Sequence, residues 1–220
     1  MKELITNKIK GIVFDLDGTL IDSKNDILSA FSYAFENLKA KKPPDEVLIH
    51  TIGARLEECF KPFLGDDENL LKEAARLFRI HYESHFLDKT KPFEGVEDLL
   101  KELKDWFSLA VVTMKKGYYA RKVINNFGWD KYFKCIVGAE EGLKAKPDPE
   151  MLNKAVSNLA LKKEEIVYVG DTVVDLMTAK NCGVKFIYVK WGYGSLDGAF
   201  ENTLTANTPS EVASLIKKMV

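Results

Sequence analysis

The chain has 220 residues, enough for one large domain or for one domain that carries a sizeable insertion. Its 46% hydrophobic and 30% charged residues are the proportions of an ordinary globular protein. A formal net charge of −1 leaves no electrostatic footprint for nucleic acid or an anionic membrane, and no run approaches the ~20 apolar residues of a membrane span.

The opening Met1–Thr6 has no long apolar run behind a basic start, so no signal peptide is read there. Ile12 to Phe14 is a short apolar run of the buried, parallel-sheet kind. It ends in Asp15-Leu16-Asp17-Gly18-Thr19-Leu20. Side chains alternate along a strand, so Asp15 and Asp17 point the same way if strand geometry continues that far. Two carboxylates held together repel unless a cation or a proton intervenes. Gly18 frees the backbone to turn, and its N–H and that of Thr19 are placed to face an anion. Paired carboxylates, a Mg²⁺ ion and backbone donors are parts for phosphoryl transfer through an aspartyl intermediate. The competing reading is an ordinary Asp-Gly turn after a strand.

Ile27 to Leu38 has helical periodicity, with Asp22 or Ser23 as N-cap, lysines 39, 41 and 42 at the C-terminal end and Pro43-Pro44 as the stop. A short helix from Asp45, a break at Thr51–Arg55, a helix over Leu56–Leu64 and a long amphipathic helix over Asn69–His85 follow. From Ser23 to about Leu87 the pattern is helical throughout, an all-helical insertion over residues 21–89. Lys91–Val96 marks the return. Strands are then expected at Ser108–Thr113, Phe133–Val137, Ile166–Val169 and Phe186–Val189. Helices are expected at Glu97–Trp106, Tyr118–Phe127, Glu150–Leu159, Val174–Cys182 and Pro209–Met219, the last with Thr208 as N-cap. Strands alternating with helices imply an α/β doubly wound parallel sheet, built from 1–20 and 90–220. Ligands of such sheets sit beyond the carboxyl ends of the strands. Asp15 and Asp17 end the first strand, Thr113 the second and Asp171 a later one.

Four features converge in order: Asp15-x-Asp17-Gly18-Thr19-Leu20, Thr113 closing an apolar strand, Lys146-Pro147-Asp148-Pro149, and Gly170-Asp171-Thr172-Val173-Val174-Asp175. Taken singly, Thr113 reads as a β-branched strand residue, Lys146 as a surface lysine, and Asp171 with Asp175 as the cap and first-turn acid of a helix. Together, with a helical insertion after the first, they resemble the haloacid dehalogenase superfamily of phosphatases over essentially the whole chain. Within it the chain resembles the phosphoglycolate phosphatase-like group with a small helical cap, to which Trp191-Gly192-Tyr193-Gly194 adds support.

The resemblance implies a fold, a HAD-like Rossmannoid core with a cap, and a set of roles. Asp15 attacks phosphorus. Asp17 protonates the departing alkoxide and then takes a proton from water, and its backbone carbonyl ligates the metal. Asp171 and a carboxylate oxygen of Asp15 bind Mg²⁺, with Asp175 in support. Thr113 hydrogen-bonds the transferring phosphoryl group, and Lys146 neutralises charge between it and the nucleophile. The physics agrees, because a carboxylate attacks a phosphate dianion only when their repulsion is cancelled. One departure is Met114 where the second motif often has Asn, which leaves phosphate contacts there to backbone or to Lys115.

Arg55, after Gly53 at a helix start, is a candidate for pairing with a substrate carboxylate such as that of 2-phosphoglycolate; the competing reading is an exposed arginine. His81 and His85 share a helical face but lack a third metal ligand. Cys59, Cys135 and Cys182 show no C-x-x-C spacing and are expected as free thiols in a reducing cytosol, hence a cytoplasmic protein. The expected partner is a small phosphorylated metabolite, with no nucleic acid and no membrane, for a monomer or homodimer. The alternatives are a phosphoglucomutase-type phosphotransferase of the same fold and an aspartate-phosphorylated receiver or binding protein, which the length and the insertion disfavour.

Overall fold

In the computed structural model, which describes residues 8–140, 142–195 and 203–220, the strand that precedes Asp15 lies in the middle of the sheet. This strand, β1 (Gly11–Phe14), is buried at every position. Two further strands follow out of the main sheet, β2 (Ile21–Asp22) and β3 (Lys91–Pro92). The others are β4 (Ser108–Lys116), β5 (Phe133–Ala139), β6 (Ile166–Gly170), β7 (Lys185–Val189) and β8 (Leu204–Ala206). The main sheet runs β5-β4-β1-β6-β7-β8 with every pair parallel. Ignoring the β2–β3 pair, that is the doubly wound order 3-2-1-4-5-6, whose chain reversal opens a crevice beyond the carboxyl ends of β1 and β6.

Alternation along β1 supplies both faces of the sheet. Ile12 and Phe14 enter one buried cluster with Val111, Val167 and Val169. Val13 enters the other with Ala110, Val112 and Tyr168. The helices that cover these faces are α5 (Val96–Leu103), α6 (Gly117–Asn126), α7 (Glu150–Leu159), α8 (Val173–Cys182) and α9 (Pro209–Lys217). Thr208 caps α9 by accepting from the Glu211 N–H.

Between β2 and β3 the chain is helical: α1 (Lys24–Asn37), α2 (Asp45–Leu48), a 3₁₀ turn at Ile49–Thr51, α3 (Leu56–Leu64) and α4 (Glu68–His85). Asp67 caps α4 through the N–H groups of Asn69 and Leu70. Phe31 of α1 meets Phe60 of α3 and Phe78 of α4 edge-on, each at 5.0 Å between ring centroids. Truncating an aromatic so enclosed typically costs about 3–5 kcal/mol. The two crossings into and out of this segment are tied together. Ile21 pairs with Pro92 and Asp22 with Lys91 in an antiparallel ladder. Beside it the buried Asp26 carboxylate accepts from the N–H groups of Lys89 and Thr90 and from the Thr90 hydroxyl.

Several local expectations change. The first helix ends at Asn37, before the prolines, because Lys39 turns left-handed at φ 52°. Ser23 stands at the N-cap of α1 but makes no capping bond; its hydroxyl is used at the site below. Helix α5 stops at Leu103, short of Trp106, and β4 continues past Thr113 to Lys116. The β2–β3 pair and β8 are two and three residues long, too short for alternation to announce them. Met1–Thr6 lies outside the described residues. Among the described residues no helix is long and apolar enough to cross a membrane.

Candidate active site

Three buried carboxylates gather beyond the ends of β1 and β6. Asp15, Asp171 and Asp175 place oxygens within 4.8 Å of one another. Asp15 follows β1 directly, its N–H donating to the Val169 carbonyl of β6. Asp171 follows β6, and Asp175 lies in the first turn of α8. Thr172, not Asp171, caps that helix: its hydroxyl accepts from the Asp175 N–H, and Asp175 answers with Oδ2 on Thr172.

Lys146 enters this group from the loop before α7. Its ammonium donates to Asp15 Oδ1 at 2.7 Å, to Asp175 Oδ1 at 2.6 Å and to the Tyr168 hydroxyl at 3.0 Å. The Tyr168 hydroxyl donates in turn to Asp175 Oδ1 at 2.6 Å. Asp175 thus has partners on both oxygens and acts as the support of the cluster. Asp171 takes one bond per oxygen, from the Thr19 hydroxyl and from the Tyr193 N–H. Asp15 Oδ2 has no hydrogen-bond partner among the described residues and remains available for chemistry.

The charges do not balance. One ammonium faces three carboxylates in a buried setting. Burial, and then the Asp175 charge, push the Asp171 carboxyl up to about 7. Burial also raises Asp15 well above the usual carboxylate range, with Asp175 and Asp171 adding to it against the pull of Lys146. Burial would raise Asp175, but the Lys146 charge and the hydrogen bonds from Lys146, Thr172 and Tyr168 outweigh it and hold the carboxyl low. Burial would drain Lys146 of its proton, but Asp15 and Asp175 override it and keep the ammonium. Clustered hard oxygens with surplus negative charge fit a small divalent cation such as Mg²⁺. Asp15 and Asp171 retain the free lone pairs to hold one.

Asp17 stands apart from this cluster. The strand ends at Phe14, and Asp17 lies in the following loop, where it bridges to Ile21. Its Oδ1 accepts from the Ser23 hydroxyl at 2.5 Å and faces the Lys115 ammonium at 2.8 Å. Lys115 also bonds the Tyr82 hydroxyl on α4. Tyr168, Ser23 and Tyr82 read in the sequence as strand, cap and core residues, and only the fold brings their hydroxyls to the site.

A cavity of about 370 Å³ opens over Asp15 and Asp17. Thr113, Lys115, Arg55 and Arg79 are among its walls, with Phe31, Phe78, Tyr82 and Met114 supplying apolar surface. Arg55 is exposed and unpaired among the described residues, whereas Arg79 pairs with Glu57 at 2.7 Å. Lys146, Asp171 and Asp175 are not among its lining residues, but Lys146 reaches the wall residue Asp15 at 2.7 Å.

Two expectations need correction. The N–H groups of Gly18 and Thr19 do not face an anion: Gly18 donates to Ile21 and Thr19 to Leu16 inside the loop. A loop that returns sharply within five residues uses its own amides to close. Gly18 is needed for another reason. Its φ is +86°, and a Cβ there would overlap the Asp171 carboxylate. Lys115 is committed to Asp17 and Tyr82 rather than left free for a phosphate. His81 and His85 stack at 4.3 Å, but each bonds elsewhere, to Ser29 and to Asp88.

The profile of the haloacid dehalogenase-like hydrolases matches residues 12–189. Pyrophosphatase PpaX of Halalkalibacterium halodurans is 37% identical over 179 residues, 81% of this chain and 82% of the relative. Phosphoglycolate phosphatase of Aquifex aeolicus is 31% identical over 206 residues, covering 93% of this chain and 95% of its own. A haloacid dehalogenase-like hydrolase from Streptococcus pneumoniae superposes with a TM-score of 0.87 at 28% identity, over 94% of this chain and 98% of that structure.

Proposed function

The chain belongs to the haloacid dehalogenase-like hydrolases, and on that premise we propose that it is a Mg²⁺-dependent phosphatase of a small phosphorylated metabolite. The observation that carries the reading is the Lys146 ammonium, 2.7 Å from Asp15 within three carboxylates that share one cation-sized space. Asp15 is the nucleophile. Its free Oδ2 attacks phosphorus, the ester P–O bond breaks, and the bonding pair leaves on the substrate oxygen. Asp17, at the cavity wall, gives that oxygen its proton. Water then attacks the phosphorus of the aspartyl phosphate and returns a proton to Asp17, which frees phosphate and Asp15. Thr113 faces the transferring group, and Lys146 keeps the nucleophile and the phosphate from repelling each other. Asp15, Asp171 and the Asp17 carbonyl would hold Mg²⁺, with Asp175 behind, and the bound ion would add positive charge at the transferring group.

The cavity suits a small ester with a second anion. Arg55 and Lys116 are exposed cations of its wall that have no ion-pair partner among the described residues, and Arg55 has the forked geometry for an anion. A carboxylate would suit it, as in 2-phosphoglycolate, the substrate class in the name of the A. aeolicus relative. A second phosphate would suit it as well, as in pyrophosphate, which the name of the H. halodurans relative points to. We take the location as cytoplasmic, a reading that the free thiols of Cys59, Cys135 and Cys182 support. We take the protein as a monomer or homodimer without nucleic-acid or membrane partners. A phosphate-release screen over small phosphorylated acids, sugar phosphates and pyrophosphate, with Mg²⁺ and with chelator, tests the reading. Asp15→Asn should stay folded and release no phosphate; normal Mg²⁺-dependent release from it would refute the nucleophile. Transfer to an added sugar in place of release would mark a phosphotransferase.

A further inference from the structure

The two oxygens of Asp17 have different surroundings. Oδ1 is occupied twice, by the Ser23 hydroxyl at 2.5 Å and the Lys115 ammonium at 2.8 Å. Oδ2 has no hydrogen-bond partner among the described residues, and Asp17 lines the cavity. An oxygen that already accepts from an ammonium and a hydroxyl is a poor seat for a proton. The carboxylate is thereby fixed about its χ2 axis, with Oδ2 the oxygen left for a substrate.

Lys115 is itself held from outside the catalytic core. Its side chain is 4% exposed, an unusual state for a lysine. It lies 4.9 Å from the centroid of the Tyr82 ring and bonds the Tyr82 hydroxyl. Tyr82 belongs to α4, in the helical insertion, and is packed against Phe78, Phe86 and Tyr119. Lys115 sits at the end of β4, and its own N–H donates to the Thr113 hydroxyl. One side chain therefore spans a core strand, an insertion helix and the loop that carries Asp17.

We propose that Lys115, seated by Tyr82, is a positioning residue that orients Asp17 so that Oδ2 delivers the proton to the leaving oxygen. This deepens the phosphatase reading and rests on Asp17 as its acid. Helix α4 of the insertion then bears on catalysis through this contact, because Lys115 is seated against Asp17 only while Tyr82 lies beside it. When Lys115 is lost, Asp17 keeps the Ser23 bond but can rotate about it. Proton delivery should suffer more than phosphate binding.

The esters to compare differ in their need for that proton. p-Nitrophenyl phosphate expels a stabilised phenolate, whereas an alkyl phosphate such as ethyl phosphate expels an alkoxide that must be protonated. Single-turnover alcohol release with enzyme in excess reports the first step alone. Lys115→Met should lose about 10- to 100-fold more on the alkyl than on the aryl ester, a part of the ~10²–10⁴ that general acid catalysis supplies. Tyr82→Phe, which keeps the ammonium and the packing, should shift the same ratio in the same direction by less. It decides the matter if Lys115→Met fails to fold. Equal losses on both esters would overturn the proposal in favour of a direct phosphate contact. Unchanged rates on both would reduce Lys115 to a packing role. Wild-type protein that releases phosphate from neither ester nor from any compound of the screen above would instead remove the phosphatase reading itself, and a residual rate in Asp15→Asn would move the nucleophile.

Discussion

Lys146→Met asks what a single buried ammonium does for this fold. Lys146 is the shared partner of Asp15 and Asp175, and Tyr168 is its third contact. Methionine fills similar space but leaves the three carboxylates with no ammonium among them. Breaking a buried ion pair from one side typically costs about 3–5 kcal/mol. At about 2–4 °C per kcal/mol for a chain of this size, the unfolding midpoint of the metal-free protein should fall by roughly 6–20 °C near pH 8. The loss has a defined pH dependence. Asp15 and Asp171 already sit above the ordinary carboxylate range, and removing the ammonium raises them further. The folded variant then binds more protons than its unfolded chain, so its stability falls as pH rises above the ordinary carboxylate range. At pH 5.5 those protons replace the missing ammonium, and the deficit should shrink. Added Mg²⁺ should shrink it at pH 8 by the same logic. Thermal unfolding followed by circular dichroism at both pH values, with and without Mg²⁺, checks this. A deficit that is equal at pH 5.5 and 8 and indifferent to Mg²⁺ would refute the charge-balance argument.

Two other outcomes are expected. Protons and Mg²⁺ compete for Asp171, whose carboxyl sits at about 7, so Mg²⁺ should bind more weakly below neutrality, by up to about tenfold per pH unit. The rise in unfolding midpoint on titrating Mg²⁺ at pH 6 and pH 8 reads this directly, and coincident curves would contradict it. Arg55→Ala should raise KM for a phosphorylated carboxylic acid about tenfold or more, the scale of a lost charge-assisted bond, and much less for p-nitrophenyl phosphate. Similar changes for both would remove Arg55 from substrate recognition.

Much of the architecture is legible from local pattern. The apolar run at Ile12–Phe14 and those at Ile166–Val169 and Phe186–Val189 appear as strands of one parallel sheet, because burial on both faces imposes apolar residues at successive positions. Stripe periodicity likewise marks α3 and α4, which are found over Leu56–Leu64 and Glu68–His85. The motifs single out Asp15, Lys146, Asp171 and Asp175, and these share one buried cluster although Lys146 and Asp15 stand 131 positions apart.

Local pattern thus assigns which residues carry apolar or reactive groups and which faces of helix and strand they occupy. Those properties repeat every few residues and need no knowledge of distant chain. Which polar group meets which depends on how the elements pack. Nothing local shows that Ser23 turns from its helix to Asp17, or that the amides of Gly18 and Thr19 close their own loop. Nothing local shows that Lys115 reaches Tyr82 across 33 positions. Hydrogen bonds are short-ranged and directional, so a partner is set by the final placement of elements to within a fraction of an ångström.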